Sequence, residues 1–116
     1  MKEIISIGIG QFGIRTTEDM FKEFTDDHSI DTQGVRRANE NPENNQVDFP
    51  HIFFEETEDS KYRPRAFFLD TDCQAIDNVR SGHFGKLFTI DSYTCGKQSA
   101  AGNWAKAYYG ENSELI

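Results

Sequence analysis

The chain has 116 residues, twenty acidic against twelve basic, a formal charge of −8, and an apolar fraction of 36% in which ten Phe and four Tyr are prominent. That length accommodates one domain with one core, and the composition makes the core small and aromatic. The acidic balance excludes recognition of nucleic acid or of an anionic membrane by general electrostatics, so a bound anion has to be held by backbone N–H groups.

The run Lys2 to Ile9 concentrates Ile4, Ile5, Ile7 and Ile9 in a short β-branched stretch and predicts a buried strand. Glu3 and the glycines interrupt it too early for a signal peptide or a membrane span, and the sequence predicts a soluble intracellular chain. It leads directly into Gly8-Ile9-Gly10-Gln11-Phe12-Gly13, which spells G-x-G-x-x-G. Ile14, Met20, Phe21 and Phe24 then recur at helical spacing as far as Asp27. Strand, glycine turn and helix follow in the order that a phosphate loop needs.

Residues 28–50 are rich in asparagine, carry both signs of charge and show neither period, which predicts a long solvated surface loop. Ile52-Phe53-Phe54 suggests an edge strand, and Arg65 to Asp70 a buried one, with Pro64 tolerated at its start. Gln74 to Arg80 predicts a short helix with Ile76 and Val79 on one face, ended by Ser81-Gly82. Leu87 to Thr94 is extended, and Gly96 to Asn103 is a loop of small residues. A helical pattern from Trp104 to Glu114 places Trp104 and Tyr108 one turn apart, a spacing read as core packing. His28, His51 and His83 have no partners at catalytic spacing and read as packing or surface groups. Cys73 and Cys95 have no His or Cys at metal-ligand spacing and read as buried or reduced thiols, as a reducing cytosol would keep them.

Strands alternating with helices predict an α/β unit around a largely parallel sheet. Three or four strands are too few to cover both faces of a doubly wound sheet, and the last helical pattern has no capping signal, so the expectation is a fragment or a product with an incomplete core. A dinucleotide fold would need a second strand ending in an acidic residue about twenty residues beyond the glycines. Asp31 stands near that distance, but Phe24 to Ile30 is not a strand, and the oxidoreductase reading rests on the glycines alone. Three loops do fall at the C-terminal ends of predicted strands: Gly10-Gln11-Phe12, Asp70-Thr71-Asp72 and Ala100-Ala101-Gly102-Asn103. In an open α/β sheet the ligand crevice lies outside those ends. Carboxylates there reach Mg²⁺ through water, and small residues let amides approach phosphates.

The opening MKEIISIGIGQFG, the segment PRAFFLDTD, the run IDNVRSGHFGKLF and the stretch AAGNWAKAYYGENSEL together resemble the N-terminal quarter of a tubulin, from Met1 to Ile116. FFEET and GKQSAAGN lean toward the α type, VRSG-x-FGKLF toward the β type. The resemblance implies a Rossmann-like three-layer nucleotide-binding domain, of which residues 1–116 supply the N-terminal part. It implies a GTP- and Mg²⁺-binding subunit of microtubules or related filaments, cytoplasmic and cytoskeletal, whose partners are other tubulin subunits. By the same resemblance Gly10, Gln11 and Phe12 lie at the nucleotide with Asp70, Asp72 lies toward the Mg²⁺, and Ala100, Ala101, Gly102 and Asn103 wrap the phosphates. Departures from the family pattern are Phe12 for a Cys or Ala, Asp72 for a Glu, Cys73 for a Pro, and Gly102 for the first of two Asn. The loop of residues 28–50 has no lysine and so lacks the acetylation target of an α chain. The family's fourth, glycine-rich loop and its hydrolysis-activating region have no counterpart in these residues, so hydrolysis is not expected of this chain alone. The alternative is a truncated tubulin-like protein that binds no nucleotide and acts only through subunit contacts.

Overall fold

The computed structural model describes residues 2–36 and 50–115. The first strand, β1, spans Ser6–Ile9 and passes without an intervening loop into α1, Gly10–Asp27. A short hairpin follows, β2 (Phe54–Glu56) antiparallel to β3 (Tyr62–Pro64). Then come β4 (Ala66–Asp70), α2 (Gln74–Ser81) and β5 (Tyr93–Cys95). Three strands form one parallel sheet in the order β1-β4-β5, with Ile9 opposite Leu69 and Asp70 opposite Cys95. All three therefore end along one edge. This is the mixed α/β, parallel architecture that the alternating pattern predicts.

The two longer helices lie on the same face of the sheet. Ile14 and Phe21 of α1, Ala75, Ile76 and Val79 of α2, and Ala66 and Phe68 of β4 share one buried cluster with Phe54, Leu87 and Phe88. Phe21 is its centre, edge-on to Phe24 at 5.4 Å, Phe54 at 5.8 Å and Phe88 at 6.4 Å, an arrangement that aromatic quadrupoles favour. Gly8 faces this layer because a Cβ there would lie 2.7 Å from the Gly13 carbonyl oxygen and 2.8 Å from Thr17 Oγ1. Strand alternation then turns Ile7 and Ile9 to the opposite face, where they are exposed with Ile5 and Phe67. Among the described residues no third layer covers that face. The expectation of a fully buried first strand is corrected accordingly: a β-branched run specifies extended backbone, but its coverage on both faces depends on what else is present.

Other expectations are also corrected. Pro50–Ile52 is a 3-10 turn, with Phe53 N–H donating to the Pro50 carbonyl at 3.3 Å, so extended structure begins only at Phe54. The stretch Leu87 to Thr94 folds as two buried residues, a 3-10 turn at Ile90–Ser92 and the start of β5. His28 to Arg36 is ordered. The Asp31 carboxylate accepts from Gln33 N and Val35 N at 2.9 Å each, Ile30 bridges to Arg36, and Gly34 accepts from Tyr62 N at 2.7 Å. The rest of the predicted surface loop, residues 37–49, lies outside the described residues. His28 is buried, its Nδ1–H donating to the Phe24 carbonyl at 2.9 Å, as its packing role requires.

The C-terminal helical stretch comprises α3 (Trp104–Lys106), a π turn (Ala107–Glu111) and α4 (Asn112–Leu115). Ser113 Oγ donates to the Gly110 carbonyl at 2.8 Å, a local side-chain bond back to the preceding turn. Trp104 and Tyr108 stack at 4.9 Å, as their spacing predicts, but they are 70% and 60% exposed. The expectation of core packing fails because the described chain supplies no surface opposite them. Among the described residues no helix is long and apolar enough to cross a membrane.

Candidate functional site

The three strand ends define the site. At the first, Gly10 has φ +76°, a left-handed conformation that lets the chain turn from β1 straight into α1. A Cβ at Gly10 would meet nothing within 4 Å, whereas Gly8 and Gly13 are in close strand–helix contact. Ile9, the N-cap residue, makes no side-chain cap, and the first turn has no acidic residue. The first N–H groups of α1 therefore have no side-chain cap, and the helix dipole at this end favours negative charge. Gln11 and Phe12 are exposed there, Phe12 at 84%.

At the second strand end Asp70 shapes its own loop, its Oδ1 accepting from Thr71 N at 2.7 Å and Asp72 N at 3.5 Å. Asp72 Oδ1 accepts from Gln74 N at 3.1 Å and so supports the start of α2. Asp72 Oδ2 can accept from a water. Among the described residues no group of three or more His, Cys, Asp and Glu could hold a metal. The carboxylates at this strand end, Asp70 and Asp72, do not make an all-protein metal cage; a cation there would have to complete its shell with waters or ligand oxygens.

The third loop is joined to the second. Gly96 N–H donates to the Asp70 carbonyl at 2.9 Å, and a Cβ at Gly96 would lie 2.7 Å from the Thr71 carbonyl oxygen. Cys73 and Cys95 form a disulfide with a Cα–Cα distance of 5.3 Å. The expectation of reduced thiols is thereby corrected: parallel pairing sets the end of β5 beside the turn after β4, within bridging distance. Further along, Ala101 (φ 53°) and Gly102 (φ 74°) are both left-handed, and Ala101 N donates to Ser99 Oγ at 3.1 Å. Asn103 caps α3, its Oδ1 accepting from Lys106 N at 3.1 Å. Ala101, Gly102 and Asn103 are exposed, and a Cβ at Gly102 would meet nothing within 4 Å.

Parallel pairing thus sets Gly10 to Phe12, Asp70 and Asp72 along one edge of the sheet, and the segment that carries Ala100 to Asn103 leaves the sheet from that same edge at Cys95. It does not bring Asp31 there, because the strand beside β1 is β4 and Asp31 is used in its own turn. Sequence reasoning missed the disulfide and the close approach at Gly96. Their only signal was a cysteine near the C-terminal end of each of two strands that turn out to be neighbours, Cys73 three residues beyond β4 and Cys95 at the end of β5.

Residues 3–116 match the GTPase domain of the Tubulin/FtsZ family. The chain belongs to that family. This tubulin-family chain is 36% identical over 116 residues to a tubulin beta chain of Enteroctopus dofleini and 31% identical to a nucleomorph tubulin beta chain of Guillardia theta. All of the chain is covered in both comparisons, against 25% and 26% of the two relatives, so it spans about a quarter of their length. Both relatives are β chains, and the leaning toward α read from FFEET and GKQSAAGN finds no support in them.

Proposed function

We propose that the chain carries the first three nucleotide-facing loops of a GTP-binding subunit of microtubules or related cytoskeletal filaments. The observation that supports this best is that three strands of one parallel sheet end along one edge, from which the three loops leave. Two of them turn through left-handed glycines, Gly10 and Gly102, which leave open space beside the backbone. In this reading the uncapped amides at the start of α1 bind phosphate, Gln11 and Phe12 border the nucleotide, and Ala100 to Asn103 close over the phosphates. Asp72 reaches Mg²⁺ through water, and Asp70 holds the second loop in shape. The metal, when bound, neutralises phosphate charge; this chain's residues position and desolvate.

The partners in this reading are other tubulin subunits, in the cytoplasm. The bare apolar face of the sheet supports the second reading, in which the chain acts through protein contacts alone. Denaturing the purified native protein and resolving its released nucleotide by chromatography separates the two. Guanine nucleotide near one equivalent per chain supports the first reading, and its absence supports the second. Released NAD would return the oxidoreductase reading.

A further inference from the structure

We infer that Cys73 and Cys95 are a thiol–disulfide switch that sets the spacing of the second and third loops, and with it the affinity of the site for nucleotide. The inference rests on the nucleotide reading above. The bridge joins the residue that follows Asp72 to the strand end that opens the loop bearing Ala100 to Asn103. Without it, the bases of the two loops are held by the parallel pairing of β4 with β5, which ends at Asp70 and Cys95, and beyond that pairing by the 2.9 Å hydrogen bond from Gly96 to Asp70 and the close approach of Gly96 to Thr71. A covalent tie just beyond the end of the strand pairing removes loop freedom that a ligand would otherwise have to remove on binding. The oxidised form therefore binds tighter.

The bridge is open to reagents. Cys95 is exposed, Cys73 is half-buried, and Cys95, Gly96 and Lys97 line a cavity of about 200 Å³ together with Glu111 and Leu115. Closure requires a small-molecule disulfide of the oxidised-glutathione class. One cysteine thiolate attacks a sulfur of that disulfide, forms a mixed disulfide and releases one thiol. The second thiolate then attacks the protein sulfur and releases the other thiol. The two cysteines lose two electrons and two protons, and the small disulfide is reduced to two thiols. Reduction runs the same steps backward.

The test equilibrates the full-length native protein in a series of oxidised and reduced glutathione ratios. Differential alkylation and peptide mass mapping report the Cys73–Cys95 bridge, and titration with a fluorescent GTP analogue reports affinity. The expected result is a bridge that forms and opens with the ratio, with affinity about five- to tenfold higher when it is closed. Cys95→Ser should bind with the affinity of the reduced protein at every ratio. Two outcomes overturn the switch and leave the nucleotide reading in place: alkylation of both cysteines at every ratio, or equal affinity in both states. Failure to bind the analogue in either state and in Cys95→Ser overturns the switch and the nucleotide reading together.

Discussion

Replacing Ile5, Ile7 and Ile9 together by threonine tests whether one face of the sheet is bare. These side chains and Phe67 are 62, 62, 65 and 45% exposed. Full burial of such a residue is worth about 1.5–3 kcal/mol, so leaving the four uncovered forgoes roughly 4–7 kcal/mol. That is comparable with the net stability of a whole domain, about 5–15 kcal/mol. The 116-residue chain alone should therefore bind ANS, show weak near-UV circular dichroism and melt over a broad range. Threonine keeps the β-branching that suits a strand, and at exposed positions each change should cost no more than about 0.5 kcal/mol. The triple variant should retain the far-UV spectrum of the parent while its ANS fluorescence falls several-fold and it aggregates less. A parent with a sharp cooperative melt and no ANS binding would refute the reasoning, as would a variant that unfolds, since either would mean that these residues are covered.

The glycines of the first loop should separate by mechanism. Gly8→Ala should destabilise by about 1–3 kcal/mol through overpacking against α1, whereas Gly10→Ala, with open space but a left-handed φ, should cost about 1–2 kcal/mol through strain. Gly10→Asn should recover part of the Gly10→Ala loss and none of the Gly8→Ala loss, as read by denaturant midpoints. Asp72→Ala should weaken Mg·GTP binding more than Mg-free GTP binding, and equal weakening in paired titrations would remove Asp72 from the metal side. Tyr93 is pushed up to about 12, chiefly by burial and against the pull of Arg80, and its buried hydroxyl has no hydrogen-bond partner among the described residues. The folded state thus holds the phenol proton longer than the unfolded state, whose ordinary value is 10.0, so this contribution is complete below pH 10.0 and is lost as pH rises toward 12. Tyr93→Phe should remove that decline in stability at high pH and be neutral or stabilising at pH 7, because no partner is orphaned.

The order of β1, glycine turn and α1 was legible because a short β-branched run gives way across the glycines to apolar residues at helical spacing. The candidate loops were legible because runs of glycine, small or acidic residues break the apolar pattern at Gly10, at Asp70 to Asp72 and from Gly96 to Asn103. The hairpin partner β3 was not, since Tyr62–Pro64 is three residues long and ends in proline. Its turn depends on Ser60 in a left-handed conformation, which composition does not announce. The disulfide was hidden because it depends on which strands are neighbours, a property of topology and not of spacing. The exposure of Trp104 and Tyr108 was hidden too. Periodicity shows which residues share a helix face, and says nothing of what lies opposite that face.

The central claim is that three loops distant in sequence meet on one nucleotide. Hydrogen–deuterium exchange of the native protein with and without Mg·GTP tests it most directly. The account predicts that nucleotide slows exchange together at Gly10 to Gly13, at Thr71 to Cys73 and at Ala100 to Asn103, and leaves the hairpin Phe54 to Pro64 unchanged. Protection confined to one of the three loops, or appearing at the hairpin instead, would contradict it.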